Sequence, residues 1–261
     1  MKKHLIFILL FILPNLLIIA QEKVDLNPTA KNFSVEVDFT PFNQTTPISI
    51  NSFKGKYFID NKTALRIGFN FDNGNNSFEE PASTNSDSPL YDKTSEKYTV
   101  FGISPGFEIH FLESTRVSPY FGFQINYENK ISKATYEEYE RGEYNGNDYD
   151  YTLNKTEYKN SWRTISTYTQ NTNWGTQTYT SQGIGERGYS SLGANLILGA
   201  DFYIVKHLYL GLELGFGYNS VRYKEIEIDS ESAQDVVKYP ESKTSEFGLN
   251  VNNAIRLGFW F

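Results

Sequence analysis

Along much of this chain apolar side chains fall at every second position, the spacing a β-strand imposes because successive side chains point to opposite faces. Counting back from Phe261 in steps of two gives Phe259, Leu257, Ile255, Asn253, Val251, Leu249 and Phe247. The alternate set is Trp260, Gly258, Arg256, Ala254, Asn252, Asn250 and Gly248. One face is nearly all apolar; the other is mostly small or polar. Near the start, Phe33, Val35, Val37 and Phe39 alternate with Ser34, Glu36, Asp38 and Thr40. A second stretch, about 48–59, alternates poorly, with Phe53, Tyr57 and Ile59 opposite Ser52, Lys54 and Lys56. After Asp60-Asn61-Lys62 the pattern resumes with Leu65, Ile67, Phe69 and Phe71.

Four further segments follow. Phe101, Ile103, Phe107, Ile109 and Phe111 oppose Gly102, Ser104, Gly106, Glu108 and His110, and Phe121, Phe123, Ile125 and Tyr127 oppose Gly122, Gln124, Asn126 and Glu128. Leu192 to Ile204 and Leu208 to Tyr218 repeat the scheme across the short turn Lys206-His207. Residues 72–97, 131–188 and 227–244 lack an apolar period and read as loops. The count is therefore eight strands. Beyond the first hairpin their connections alternate short and long, and both ends lie beside the short turns. This predicts an all-β fold, an eight-stranded antiparallel transmembrane β-barrel with short periplasmic turns and long external loops.

Composition then narrows the setting. Lys2 and Lys3 precede an apolar run from Leu5 to Ala20, which reads as a cleaved signal peptide over residues 1–20, leaving 21–261 as one barrel domain. A retained anchor is the weaker reading, because the run holds Pro14-Asn15 and falls short of the ~20 residues a helical span needs. Without Lys2 and Lys3 the chain carries 22 basic and 31 acidic groups, a formal −9, which excludes nucleic acid as a partner. There is no cysteine, so neither disulfides nor a lipidated cysteine enter the picture.

A soluble barrel would also alternate, but with its apolar side in a core. Here the opposite face is rich in glycine and carries Glu36, Lys54, Lys56, Arg66, Glu108, Asp201, Glu213 and Arg256. Each lies about three to five residues from the short-turn end of its strand, and at ~3.3 Å per residue they share one band. Four cations meet four anions, so the expectation is a lumenal layer of ion pairs that plugs the barrel. A proton relay is the sharper alternative for such charges.

With its signal peptide, eight alternating segments and apolar last strand closing on Phe261, the mature chain resembles the small outer-membrane barrels of the OmpA and OmpX type, particularly porin-like single-domain proteins of Bacteroidota. The resemblance implies a place in the bacterial outer membrane among lipid and lipopolysaccharide. It also implies that Phe247, Leu249, Val251, Ile255, Leu257, Phe259 and Phe261 act as the signal read by the barrel-assembly machinery. No peptidoglycan-binding domain follows Phe261, so a tethering role does not carry over.

Catalytic chemistry finds little to use. Leaving aside His4 in the signal peptide, His110 and His207 sit beside short turns, away from the external rim where Ser, Asp and Glu occur, and read as turn or interfacial residues. Asn145-Gly146-Asn147-Asp148-Tyr149-Asp150 lacks the glutamate a calcium loop needs at its twelfth position. No enzyme activity, metal or cofactor is expected. The mixture of Tyr, Trp, Asn, Ser and Thr in 131–188 has the make-up of binding surfaces, with Tyr136, Tyr139, Tyr144, Tyr149, Tyr151, Trp162 and Trp174 as candidate contacts for a glycan, a host surface or a neighbouring protein. A pair of strands extending the barrel would account for the same Tyr-Thr alternation. The functional expectation is a surface barrel serving envelope integrity or binding. An accessory subunit of a larger outer-membrane complex comes next, and a lipid-modifying or proteolytic barrel last.

Overall fold

The computed structural model describes residues 26–39, 48–83, 90–111, 116–144, 149–172, 175–251 and 255–261. The predicted signal peptide lies outside them. Fourteen strands are described: β1 (Phe33–Phe39), β2 (Ile48–Phe58), β3 (Thr63–Ser83), β4 (Leu90–His110), β5 (Val117–Tyr144), β6 (Tyr149–Lys159), β7 (Trp162–Thr172), β8 (Gly175–Gly185), β9 (Tyr189–Val205), β10 (Leu208–Tyr223), β11 (Ile226–Ser230), β12 (Val237–Tyr239), β13 (Ser242–Val251) and β14 (Ile255–Trp260). Antiparallel pairing runs β1-β2-β3-β4-β5-β9-β10 and returns to β1 through β14, while β13, the earlier part of the same run of chain, also pairs with β10. The ring is closed and eight strands round. Closure leaves no edge, which is what hydrocarbon demands of a spanning sheet.

Local chemistry sets the turns. Asp60 Oδ1 accepts the backbone N–H groups of Lys62 and Thr63 at 2.7 and 2.8 Å, pinning the β2–β3 turn and holding its own carboxyl below the usual range. His207 adopts a φ of 75°, which lets two residues join β9 to β10. The weak alternation in the second segment also has a cause. The β1–β2 register slips between Val37↔Phe53 and Asp38↔Ser49, so β2 changes parity partway along.

Alternation translates into two surfaces. Leu196, Leu198 and Leu212 on the outside are each about three-fifths exposed, whereas Glu36, Lys56, Glu108, Asp201 and Arg256 on the inside are buried. An apolar outside around an ionic inside is the inverse of a soluble barrel, and the outside is a lipid-facing surface. Of the terminal-strand residues, Phe247, Leu249, Phe259 and Phe261 are exposed on it, and Ile255 and Leu257 are half-buried.

Three sequence readings require correction. Residues 72–97 and 131–188 are mostly strand, not loop: β3 and β4 stay paired up to Ser83↔Leu90, and β5 continues past its last β9 partner to pair with β6. The 28 residues of β5 make ~90 Å of chain, far more than a membrane needs. Neither face of this extension meets lipid, and its buried positions include polar Ser132 and Tyr136, so its hydrophobic period disappears while strand-forming Tyr and Thr remain. Of the third predicted loop, 227–244, residues 227–230, 237–239 and 242–244 likewise fall in β11, β12 and β13.

Placing a charge on the lipid face tests the orientation. Leu198→Arg, near mid-height of β9, should cost about 2–4 kcal/mol in folding into bilayers, while Ser77→Arg on the wet extension should be near neutral. Denaturant titration in lipid vesicles reads both, and equal midpoints would refute the assignment.

Candidate functional site

The barrel interior is layered. At the short-turn mouth, residues 26–32 tuck under the ring: Leu26 packs on Tyr203, Tyr209 and Trp260, and Lys31 donates its N–H to the Phe58 carbonyl at 2.8 Å. This aromatic floor was not legible as a unit in the sequence. Above it lies the charged layer. Beyond that, a polar vestibule of about 330 Å³ lined by Asn70, Ser104, Asn126, Asn195 and Asn219 leads outward.

All eight inward charges stand together. Lys56 Nζ lies 2.8 Å from Glu36, 2.7 Å from Glu108 and 2.9 Å from Asp201, joining carboxylates from three other strands. Arg256 reaches Glu36 at 2.7 Å and Asp201 at 3.0 Å. Arg66 spans Glu108 at 3.3 Å and Glu213 at 3.0 Å, and Lys54 meets Glu213 at 3.3 Å. Two tyrosines complete the lattice. Tyr120 accepts from Arg256 at 2.6 Å and donates to Glu213 at 3.0 Å, and Tyr209 donates to Glu36 at 2.7 Å. Both share the parity of the charges, so counting two residues along each strand would have found them. Glycine makes room for this layer. A Cβ on Gly211 would press on the Arg256 guanidinium and lie 2.8 Å from Asp201 Oδ1, and one on Gly258 would strike the Tyr209 ring.

His110 departs from its turn or interfacial reading: it is buried inside the barrel, with Nδ1 2.7 Å from Ser118 Oγ and Nε2 3.3 Å from Glu108. The cause is its parity with Glu108, which turns it inward. His207 is in its turn, with Nδ1 2.7 Å from the Trp260 carbonyl. Ser118, His110 and Glu108 thus form a hydroxyl–imidazole–carboxylate chain, the order of parts a nucleophilic hydrolase uses. Its surroundings oppose that chemistry. Glu108 is already held by Lys56 and Arg66, and the cavity at Ser118 measures about 40 Å³, room for a water but not an acyl substrate. Glu108, His110 and Asp201 also offer ligand atoms within 4.8 Å of one another. The Lys56 ammonium bonds both of these carboxylates and takes the part a cation would play there.

Outside the membrane the tyrosine-rich extension has its own order. Tyr136 is buried, with 2% exposed, so it is not a contact surface. It donates to Glu96 at 2.7 Å, receives the Arg163 N–H at 2.8 Å and carries the Arg163 guanidinium over its ring at 4.2 Å. Burial, then the Glu96 carboxylate, push its phenol up. Arg163 in turn forms a two-pronged pair with Glu138 at 2.7 and 2.6 Å. Trp162 is half-buried against Tyr98, and Tyr139 and Tyr151 are half-buried. Trp174 and most of the 145–150 segment lie outside the described residues, as do the side chains of Tyr144, Tyr149 and Val251.

Removing one charge from the layer strands its partners. Lys56→Met should destabilise the barrel by roughly 3–5 kcal/mol by leaving three carboxylates short of a cation. Adding Glu108→Gln should restore part of that loss. Urea midpoints in micelles measure both, and an unchanged midpoint for Lys56→Met would overturn this account.

No family model matches the chain, and no curated protein matches it. Among solved structures it is similar to the outer membrane protein OprG from Pseudomonas aeruginosa, at 11% identity and a TM-score of 0.39, over 91% of this chain and 99% of that one. It is also similar to Ail, the attachment invasion locus protein of Yersinia pestis, at 11% identity and a TM-score of 0.31, over 89% and 99%. A third is the outer membrane protease OmpT from Escherichia coli, at 10% identity and a TM-score of 0.27, over 89% and 94%. The chain's own geometry, a closed antiparallel ring oily outside and ionic within, is that of an integral barrel of the bacterial outer membrane.

Proposed function

We propose that this is a non-enzymatic barrel that contributes to envelope integrity and presents its external extension as a binding surface. The observation that carries the reading is the closed interior: the aromatic floor and eight paired charges leave the lower lumen filled, so neither a diffusion pore nor a substrate-sized active site has space there. The eight charges act as a structural plug. Phe247, Leu249, Val251, Ile255, Leu257, Phe259 and Phe261 serve as the assembly signal, and lipid and lipopolysaccharide surround the barrel.

One observation favours a second reading, an accessory subunit of a larger outer-membrane assembly. Ile165 and Ile184 sit diagonally on one face of the β7–β8 hairpin, exposed at 59% and 38%, where a protein neighbour would cover them. A pull-down from detergent-solubilised membranes in which Ile165→Ser lost a stoichiometric partner would favour it over the stand-alone barrel.

Reconstitution into planar bilayers should give no stable single-channel conductance, and a steady open level would sink the plugged-lumen reading. Ser118→Ala and His110→Gln should leave outer-membrane lipid composition unchanged by mass spectrometry. Loss of a modified lipid species in either variant would establish an enzyme.

A further inference from the structure

The ring's register places outward residues of β5, β9, β10 and β13 in successive rows. Phe123, Leu196, Phe216 and Leu249 form one row; Ile125, Ala194, Tyr218 and Phe247 form the next. Above these comes Tyr127, Leu192, Ser220 and Ser245, and then Asn129, Ser190, Arg222 and Lys243. The surface passes from oily to hydroxylated to cationic over a few residues. On this face a groove of about 620 Å³ runs between an apolar wall of Phe123, Ile125 and Leu192 and the heads of Arg222 and Lys243.

The two cations are directly opposed across β10 and β13, and neither forms an ion pair among the described residues. Like charges in that relation repel, and the arrangement persists at a cost unless an anion sits between them. The chain as a whole is strongly acidic, so it does not place cations together by composition alone. Like charges also adjoin farther out, on the extension: Lys97, Lys133 and Lys159 are exposed and consecutive partners across β4, β5 and β6, with a carboxylate, Glu227, 2.8 Å from Lys159 alone.

We propose that the Arg222–Lys243 groove binds a phosphate-bearing lipid of the outer leaflet, its acyl chain along Phe123, Ile125 and Leu192 and its phosphate between the two cations. The inference rests on the outer-membrane reading and names a ligand class for one face of it. A lipid, rather than free phosphate, follows from the wall: the cations end a surface that hydrocarbon already covers.

Native mass spectrometry of the detergent-purified protein with phosphatidylglycerol, and with diacylglycerol of the same acyl chains, tests this. Wild type should retain phosphatidylglycerol well above diacylglycerol, and Arg222→Gln with Lys243→Gln should weaken it about thirtyfold, the scale for two cations at an anionic lipid surface. Lys206→Gln, at the opposite mouth, should bind as wild type, and inorganic phosphate should not compete. Equal retention by the double variant, equal binding of diacylglycerol, or displacement by inorganic phosphate would each overturn the proposal. Both substituted residues lie on the outer surface and leave the lumen untouched, so failure here is separable from failure of the sealed-barrel reading, which the conductance measurement decides.

Discussion

An ammonium ion in a dry interior is tolerable only where carboxylates surround it, and the placement of Lys56 rests on that fact. Its three partners belong to β1, β4 and β9, brought within 3 Å of one atom only when the sheet has curled into a ring. Arg256 couples β14 to β1 and β9, and Arg66 couples β3 to β4 and β10. The layer therefore ties strands that are not neighbours in the sheet, in addition to the backbone bonds between those that are. It also dictates the glycines, since the Arg256 guanidinium and the Tyr209 ring occupy space that side chains at 211 and 258 would need.

That same layer separates two regimes. Below it the lumen is closed: Leu26, Tyr203, Tyr209 and Trp260 cover the mouth, beside a water-sized cavity at Ser118. Above it the lumen opens into an asparagine-lined vestibule, and on one flank the wall continues as the β3–β6 extension, ordered by pairs such as Arg163–Glu138 rather than by an apolar core. A closed base and a polar upper part thus adjoin across one layer of charge.

What the sequence disclosed follows the same physics. Wherever one strand face met lipid and the other met the lumen, the contrast between Leu198 and Asp201, or Phe107 and Glu108, was large enough to read by eye, and strand count and facing came directly from it. Where neither face meets lipid and the buried side chains are as polar as Ser132 and Tyr136, the contrast vanishes, so 72–97 and 131–188 look like loops although Thr and Tyr keep them extended. Residues 26–32 escaped notice because an irregular segment has no period. His110 was misplaced by attention to its nearness to a turn instead of its parity. The buried state of Tyr136 depends on Glu96, Tyr158 and Arg163, three residues far apart along the chain whose meeting no local pattern announces.

The seam between β1 and β14 carries one further implication. Phe33 and Phe261 exchange backbone hydrogen bonds at 3.0 and 2.9 Å, so the circle is fastened between two residues from far-apart parts of the chain. Until those two residues meet, the sheet keeps open edges at β1 and β14, and unpaired backbone N–H and C=O groups are not tolerated in hydrocarbon. Closing the seam and entering lipid are therefore coupled, since an open sheet cannot sit in hydrocarbon and the closed one turns an oily face outward.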